Sequence, residues 1–318
     1  MRIYFYLSGF IFLTFCILTH SKLGIFYASQ GLQLWFSNMI PALLPFMILS
    51  GTLVRMNLTE GFTALIYPVI KPVYRVRRNV CYAMFVGFLC GFPMGARCTA
   101  DLYQNGRLTR DEASFLLTFC NNIGPVYFVS FALPLIGIKH YSIPLFGMYG
   151  IPLLYGLLLR YTVFRGKIFA GDNHRLQIDP HNKNIHNSYT INNAGNSMTL
   201  GKALDKALTA SLQSMTSLGG YMILFNLLMM IPRLYLPSFY PVIAPVLEIT
   251  GGLSVLGNRI PVYSLIVLSF GGISCIAQTY TCIRDTDLNL RDYVKHKLIL
   301  TTLSAVYYLL FLRLFRLL

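Results

Sequence analysis

The chain has 318 residues, of which 55% are hydrophobic and only 12% are charged, with a mean hydropathy of +0.57. A soluble domain carries about 25% charged residues and must solvate its surface, so this composition excludes a soluble globular enzyme, a disordered chain and a disulfide scaffold. The apolar stretches are also longer than the ~10-residue strands of an outer-membrane barrel. They predict an all-α polytopic membrane protein with about six to eight transmembrane segments.

The charge balance is strongly basic, with 26 Lys and Arg against 11 Asp and Glu, a formal net charge of +15. In a membrane protein this excess is typical of cytoplasmic loops and of contact with anionic headgroups, rather than of nucleic-acid binding. The seven cysteines form no C-x-x-C pair. The sequence therefore predicts neither a disulfide framework nor a zinc site, and no cofactor.

Apolar segments near the ~20 residues that a bilayer crossing requires recur along the chain. The first follows Arg2 and has no clear small-residue cleavage site, so we interpret it as a retained helix rather than a signal peptide. Two shorter pieces, 62–70 and 243–257, are interpreted as half-helices or interfacial segments. The longer stretches are 3–19, 34–54, 79–98, 113–137, 141–164, 207–231, 260–283 and 293–316.

A polar stretch rich in Asn and His divides the chain into two parts and is typical of a solvated linker. The two parts share residues at a constant offset of 180, including Gly91 with Gly271 and Leu108 with Leu288. These matches indicate an internal duplication of the kind found in secondary transporters. The predicted domains are an N-terminal transmembrane helix with an interfacial segment at 1–30, a first repeat at 31–165, a polar cytoplasmic linker at 166–203 and a second repeat at 204–318.

The positive-inside rule predicts that the two repeats are inverted. Basic clusters at 71–78 and 160–206 both belong in the cytoplasm, yet three apolar stretches lie between them. One stretch must therefore enter and leave on the same side, and 79–108, which is broken at its middle, is the candidate for a re-entrant hairpin. Its counterpart at 260–291 is expected to form a second hairpin from the outer side, which leaves Arg284 and its basic neighbours outside, against the rule.

The break in the first hairpin is the most informative local sequence. Two Gly and one Pro within five residues cannot continue a helix well, and the freed backbone groups must be satisfied by protein or by a water-filled cavity. The helix N-terminus that follows the break suits an anion, which Arg97 would attract; a kink for close packing is the alternative. The predicted substrate-binding residues here are Gly91, Phe92, Pro93, Met94, Gly95 and Arg97.

A second break lies in the other half of the chain, at Gly271 and Gly272. Ser274 and Gln278 follow it four residues apart, hence on one face of a helix. Paired breaks in two related halves are the best indication of a transporter site that a sequence can give. All four residues are therefore predicted to bind substrate.

Two further polar features interrupt apolar stretches. Asn121 and Asn122 are adjacent amides that should line the cavity or bridge helices, because they are costly in hydrocarbon unless they are hydrogen-bonded. Glu248 is the lone acid of its stretch, which makes it a candidate for ion coupling or, alternatively, an interfacial residue that reaches the headgroups. Metalloprotease, hydrolase and P-loop motifs are missing from the sequence, so we expect that the protein is not an enzyme.

Several of these motifs together resemble the YlbJ-type sporulation integral membrane proteins, a family that carries nucleoside-transporter/FeoB gate domains. The resemblance implies two gate-like repeats and a transporter that moves dipicolinic acid, a small aromatic dianion, across the outer forespore membrane of an endospore-forming bacterium. Arg97 stands where the family often has Lys, and Phe92 replaces a Tyr. The motifs lie at 91–97, 106–113, 121–122, 219–221, 247–250, 271–274, 277–278 and 286–288.

Two other functions are compatible with the sequence. A nucleoside transporter of the same fold would use Gln278 and the Asn pair to contact the ribose or the base. A non-transporting membrane scaffold for spore-envelope assembly would need no substrate site. The expected partners are a small anionic substrate, the lipid bilayer, and either a second copy of the chain or other sporulation membrane proteins, with no nucleic acid; the expected location is the bacterial cell membrane.

Overall fold

The computed structural model describes residues 2–56, 58–138, 140–168 and 199–314, which form helices and connecting turns without a β-strand. Among them, the helices that are long and apolar enough to cross a membrane are Ser21–Arg55, Ser142–Tyr161, Leu200–Tyr235 and Pro261–Ile283, and shorter apolar helices lie beside them. The prediction of an all-α polytopic membrane protein is confirmed. Most of the predicted linker lies outside the described residues, so the domain boundaries stay predictions.

We number the helices in chain order. The first part of the chain contains α1 (Arg2–Thr19), α2 (Ser21–Arg55), α3 (Thr59–Thr63), α4 (Tyr67–Tyr74), α5 (Arg78–Cys90), α6 (Met94–Gln104), α7 (Arg110–Phe119), α8 (Pro125–Ile136) and α9 (Ser142–Tyr161). The second part contains α10 (Leu200–Tyr235), α11 (Tyr240–Leu247), α12 (Ile249–Leu256), α13 (Pro261–Phe270), α14 (Gly272–Ile283) and α15 (Leu290–Leu314).

Local sequence explains where the shorter helices begin and end. A capping box starts α7: the Thr109 hydroxyl accepts the Glu112 N–H at 3.2 Å, and the Glu112 carboxylate accepts the Thr109 N–H at 2.8 Å. Pro125 begins α8, because a proline at the first helical position gives up only an N–H that would be unpaired there. Gly271 separates α13 from α14 in a left-handed conformation, with φ of +85°.

The long helices α2 and α10 pack against each other in antiparallel directions. Near the start of α2, Gly31 lies so close to α10 that a Cβ atom on it would be 2.9 Å from the Ile223 Cα. Farther along, the Trp35 indole N–H donates to the Met215 carbonyl at 3.0 Å, and Gly51 faces Ala207. Residues later in α2 contact residues earlier in α10. These corresponding helices of the two repeats therefore run in opposite directions.

Residues 78–104 form a re-entrant hairpin, as the charge pattern predicts. Helices α5 and α6 pack side by side, and the Asn79 amide donates to the Arg107 carbonyl at 3.5 Å, which brings the start of the hairpin next to the loop that follows it. Arg77 forms a buried ion pair with Glu112 at the same end. The hairpin turns at Gly91, which contacts Gly124 in the gap between α7 and α8.

Loops from both halves meet at one end of the molecule, which we call the basic face and define by Arg75, Arg110, Arg160 and Arg284. The Arg160 guanidinium donates to the Arg75 carbonyl at 3.1 Å. The Arg110 guanidinium pairs at 2.9 Å with Asp287, which lies just beyond Arg284 in the chain. The positive-inside rule assigns this face to the cytoplasm.

The prediction that 260–291 forms a re-entrant hairpin is wrong. At its start, the Tyr263 hydroxyl donates at 2.6 Å to the Val242 carbonyl, at the end of the molecule opposite the basic face. At its other end, the Tyr103 hydroxyl donates at 2.7 Å to Asp287 on the basic face. The stretch therefore crosses the molecule from face to face. The left-handed conformation of Gly271 interrupts the helix but does not reverse the direction of the chain. The 23 residues of Pro261–Ile283 are also enough to span a bilayer.

The second re-entrant hairpin is instead formed by α11 and α12, which overlap the segment 243–257 interpreted from sequence as half-helices or an interfacial segment. These two helices pack closely together, with the backbone of Pro245 against Gly252. The hairpin enters from the face opposite the basic face, where the Tyr240 hydroxyl lies 2.8 Å from that of Tyr27. It turns at Glu248 and returns to the same face.

The inverted relation between the repeats is confirmed, but with a different register. Each repeat contains a long helix, a re-entrant hairpin, an interrupted helix and a final helix, and the members run in opposite directions. The interruption at Gly271 therefore corresponds to the one at Asn121, an offset of 150 rather than 180. This register puts Arg284 on the basic face and removes the exception to the positive-inside rule.

Candidate functional site

The tips of both hairpins and both helix interruptions border one central cavity with a volume of about 490 Å³. Its remaining walls come from α2 and α10. Hairpin tips and helix breaks lie there because their backbone groups are tolerated only within protein or at a water-filled cavity. The wall includes Cys90 and Phe92 of the first hairpin, Glu248, Ile249 and Thr250 of the second, Gly124, Tyr127 and Ser130 near the first interruption, and Cys275 and Gln278 after the second.

The glycines of the first hairpin permit close packing against the interruption between α7 and α8. Gly91 has φ of +79°, and a Cβ on it would collide with the backbone nitrogen of Gly124. A Cβ on Gly95 would collide with the Cys120 carbonyl. Met94 is buried in the core and Pro93 precedes α6. Of the residues predicted to bind substrate here, Phe92 lines the cavity. The close packing that the two glycines permit positions the hairpin tip, and with it the Phe92 ring, at the cavity wall.

The amides of Asn121 and Asn122 bridge helices rather than line the cavity. Both side chains are buried. The Asn121 amide donates to the Thr279 hydroxyl at 2.9 Å and to the Tyr293 hydroxyl at 3.3 Å. The Asn122 amide donates to the Phe119 carbonyl at 2.6 Å and so closes the end of α7. The bridging alternative given by the sequence is the one observed.

Glu248 forms the tip of the second hairpin and caps the N-terminus of α12. Its two carboxylate oxygens accept the Thr250 N–H at 3.1 Å and the Gly251 N–H at 2.7 Å, and the Asn226 amide donates at 3.3 Å. The side chain is buried and faces the cavity, not the headgroup region. Among the described residues no Lys or Arg pairs with it. The nearby Tyr127 hydroxyl, also in the wall, has no hydrogen-bond partner among the described residues.

The second interruption places its residues in two environments. Gly271 packs against the Phe92 ring, and a Cβ on Gly272 would lie 3.4 Å from the backbone nitrogen of Ile249 in the second hairpin. Gln278 lines the cavity. Ser274 is fully buried behind the wall, and its hydroxyl has no partner among the described residues. Ser274 and Gln278 were expected to reach the cavity from one face of the helix, but only Gln278 does so.

Arg97 lies away from the central cavity, toward the basic face. Its guanidinium pairs with Asp101 one helical turn later at 3.2 Å. The two residues border a small separate cleft with Gly51 of α2 and Ala207 of α10. The structure thus places Arg97 with Met94 at this cleft and not at the central cavity.

A buried cation that the sequence interpretation missed lies beside the first hairpin tip. Lys297 of α15 is 2% exposed, and its ammonium donates to the Asn121 carbonyl at 3.0 Å and to the Asn122 side-chain carbonyl at 3.1 Å. The same ammonium lies 4.5 Å from the centre of the Phe92 ring. The sequence could have indicated this residue, because a Lys within an apolar helix is a functional candidate. The topology expected from the sequence, however, assigned Lys297 to the outer side of the membrane.

An all-helical chain with several membrane-spanning helices, whose hairpins meet at a central cavity, defines a polytopic membrane protein. The chain is similar to the sporulation integral membrane protein YlbJ of Bacillus subtilis (strain 168), with 26% identity over 345 aligned residues that cover 95% of this chain and 81% of that protein. This confirms the YlbJ-type resemblance carried by the motifs. No family model and no solved structure matches the chain.

Proposed function

We propose that the protein is a sporulation membrane transporter that moves dipicolinic acid, a small aromatic dicarboxylate, across the outer forespore membrane. The observation that carries the proposal is the convergence of both hairpin tips and both helix interruptions on one cavity. In transporters with inverted repeats, such discontinuous helices form the substrate site near the midplane. The similarity to a sporulation integral membrane protein of Bacillus subtilis supports the sporulation role.

The cavity wall suits a small aromatic substrate with polar ends. Most of its lining is apolar, with the rings of Phe92 and Tyr127 available to pack against an aromatic body. Gln278 and Thr250 offer hydrogen-bond donors at separate points of the wall. A largely apolar pocket with few convergent polar groups is typical of small-molecule sites.

Glu248 supplies the coupling step of the proposed mechanism. An anionic substrate and an ionised carboxylate repel each other strongly when they share a cavity of low dielectric. The substrate would therefore enter when Glu248 carries a proton or a bound cation, and would leave when that ion is released. The coupled movement of an ion and substrate is the behaviour of a secondary transporter.

Uptake by vesicles reconstituted with the purified protein tests the proposal. We expect radiolabelled dipicolinate to accumulate, and labelled nucleoside to be excluded. A Gln278→Leu variant should lose most of this uptake because the cavity loses a polar contact. The matched control is Gln104→Leu, on the basic face, where the side chain contacts Asp285 outside the cavity.

The two alternatives give different results in the same vesicles. Nucleoside uptake without dipicolinate uptake would support a nucleoside transporter, in which Gln278 contacts the ribose or base. Uptake of neither compound would support a scaffold for spore-envelope assembly. In each case we expect the substrate to be unchanged, in keeping with a protein that is not an enzyme.

A further inference from the structure

The ammonium of Lys297 is a buried positive charge without a carboxylate partner among the described residues. Its hydrogen-bond acceptors are two neutral oxygens, the backbone carbonyl of Asn121 and the side-chain carbonyl of Asn122. A buried charge that is not paired with an opposite charge is costly. Groups retained at such a cost inside membrane segments are typical of substrate and ion pathways.

Lys297 also joins the two repeats at their centre. It belongs to α15, the final helix of the second repeat, whereas its acceptors lie in the helix interruption of the first repeat. Its third neighbour, the Phe92 ring, forms the tip of the first hairpin. Lys297 therefore links the second repeat to the first, and alternating access would move these two repeats relative to each other.

Only a thin part of the wall separates this cation from the central cavity. The Phe92 ring lines the cavity and lies 4.5 Å from the ammonium. The face of an aromatic ring attracts a cation but holds it more weakly than a carboxylate does. A carboxylate that reaches this point can therefore displace the ring.

We propose that Lys297 is the cation that binds the carboxylate of the substrate, and that Phe92 is the side chain that admits the substrate to it. When the Phe92 ring turns aside, the ammonium exchanges the ring and the Asn122 oxygen for a substrate carboxylate. This inference rests on the proposed transport of an anionic substrate and assigns the recognition of negative charge to Lys297 rather than to Arg97.

Equilibrium binding to the purified full-length chain tests this assignment with radiolabelled dipicolinate and, as a neutral competitor, pyridine-2,6-dicarboxamide. The test variant is Lys297→Gln, whose amide can still donate to the Asn121 and Asn122 oxygens while the charge is removed. Lys297→Arg keeps the charge. The matched control is Lys295→Gln, which removes an exposed Lys from the same helix.

We expect Lys297→Gln to weaken dipicolinate binding by about 10- to 100-fold, as the loss of a charge-assisted hydrogen bond implies. It should also abolish the preference of the wild type for the dianion over the diamide. Lys297→Arg should retain that preference, and Lys295→Gln should bind as the wild type does. Retention of the wild-type preference in a folded Lys297→Gln protein would overturn the assignment.

The other outcomes are equally decisive. If both Lys297 variants fail to fold while Lys295→Gln folds, the residue has a structural role and the assignment falls. If the wild type transports and binds dipicolinate but Lys297→Gln binds it equally well, only the assignment fails and the proposed function stands. If the wild type neither binds nor transports dipicolinate, both fail together.

Discussion

At the scale of single residues, a few aromatic and polar side chains at or beside the helix breaks give the central cavity its chemistry. Phe92, Gln278 and Glu248 were predicted as site residues and all three line the cavity. Arg97 was predicted from its charge and its place after the helix break, but it lies in the first turn of α6 and pairs with Asp101 away from the cavity. Lys297 was missed because its position depends on the direction in which α15 crosses the molecule.

Glu248→Gln tests the coupling role at this scale. The substitution removes the negative charge and keeps one carbonyl oxygen, which can accept one of the two backbone N–H groups at the start of α12. We expect dipicolinate exchange between equal concentrations to persist, because it needs no net ion movement, whereas accumulation driven by a pH gradient should be lost. Uptake in reconstituted vesicles with and without the gradient measures both. Gradient-driven accumulation equal to that of the wild type would show that Glu248 does not couple ions.

Gly91→Ala tests the close approach of the first hairpin tip. Its φ of +79° is strained for Ala, and the new Cβ would collide with the Gly124 backbone. We expect a loss of about 2–5 kcal/mol in the free energy of unfolding, measured by denaturation in detergent. Gly220→Ala is the control, because a Cβ there meets nothing within 4 Å, and it should be neutral or stabilising by up to about 1 kcal/mol. Equal stability of the two variants would refute the close packing.

At the scale of elements, the hairpin with a charge signature was predictable and the other was not. Basic clusters at 71–78 and 160–206 required an even number of crossings between them, and the structure confirms the hairpin at 79–108. The second hairpin has only two short helices, α11 and α12, too short to be recognised as a pair of membrane segments. Sequence matches at an offset of 180 then favoured Gly271 as its tip. Packing, rather than local sequence, decides that the chain continues straight through that glycine.

The buried pair of Arg77 and Glu112 is expected to hold the first hairpin to the start of α7. Glu112→Gln keeps the capping box with Thr109, since Gln serves at that position, but removes the negative charge of the buried pair that Glu112 forms with Arg77. We expect a loss of about 3–5 kcal/mol in the free energy of unfolding. Asp287→Asn, which affects the exposed pair with Arg110, should cost about 1 kcal/mol or less. Detergent denaturation compares the two, and similar small losses would contradict the anchoring role.

At the scale of the whole molecule, the inverted repeat could be predicted from charge, but its register could not. The antiparallel packing of α2 and α10 follows the predicted inversion. The predicted violation at Arg284 disappears because α13 and α14 cross from one face to the other. Most of the described basic residues of both halves then lie toward one face, which is the arrangement that the positive-inside rule favours.

Labelling of single cysteines tests this topology. In a chain freed of its native cysteines, Arg75→Cys and Arg284→Cys should both react with a membrane-impermeant maleimide added from the cytoplasmic side. Asn258→Cys, beside Gly137 on the opposite face, should react only from the other side. Labelling of Arg75→Cys and Arg284→Cys from different sides would contradict the topology of the second repeat.

Whether the central cavity binds the substrate is measured most directly by protection of a native thiol. Cys90 and Cys282 are both half-buried, but only Cys90 lines the cavity. In proteins that retain one or the other as the single cysteine, we expect dipicolinate to slow the alkylation of Cys90 and leave that of Cys282 unchanged. Alkylation of Cys90 at the same rate with saturating dipicolinate, in a protein that still transports it, would contradict binding at this cavity.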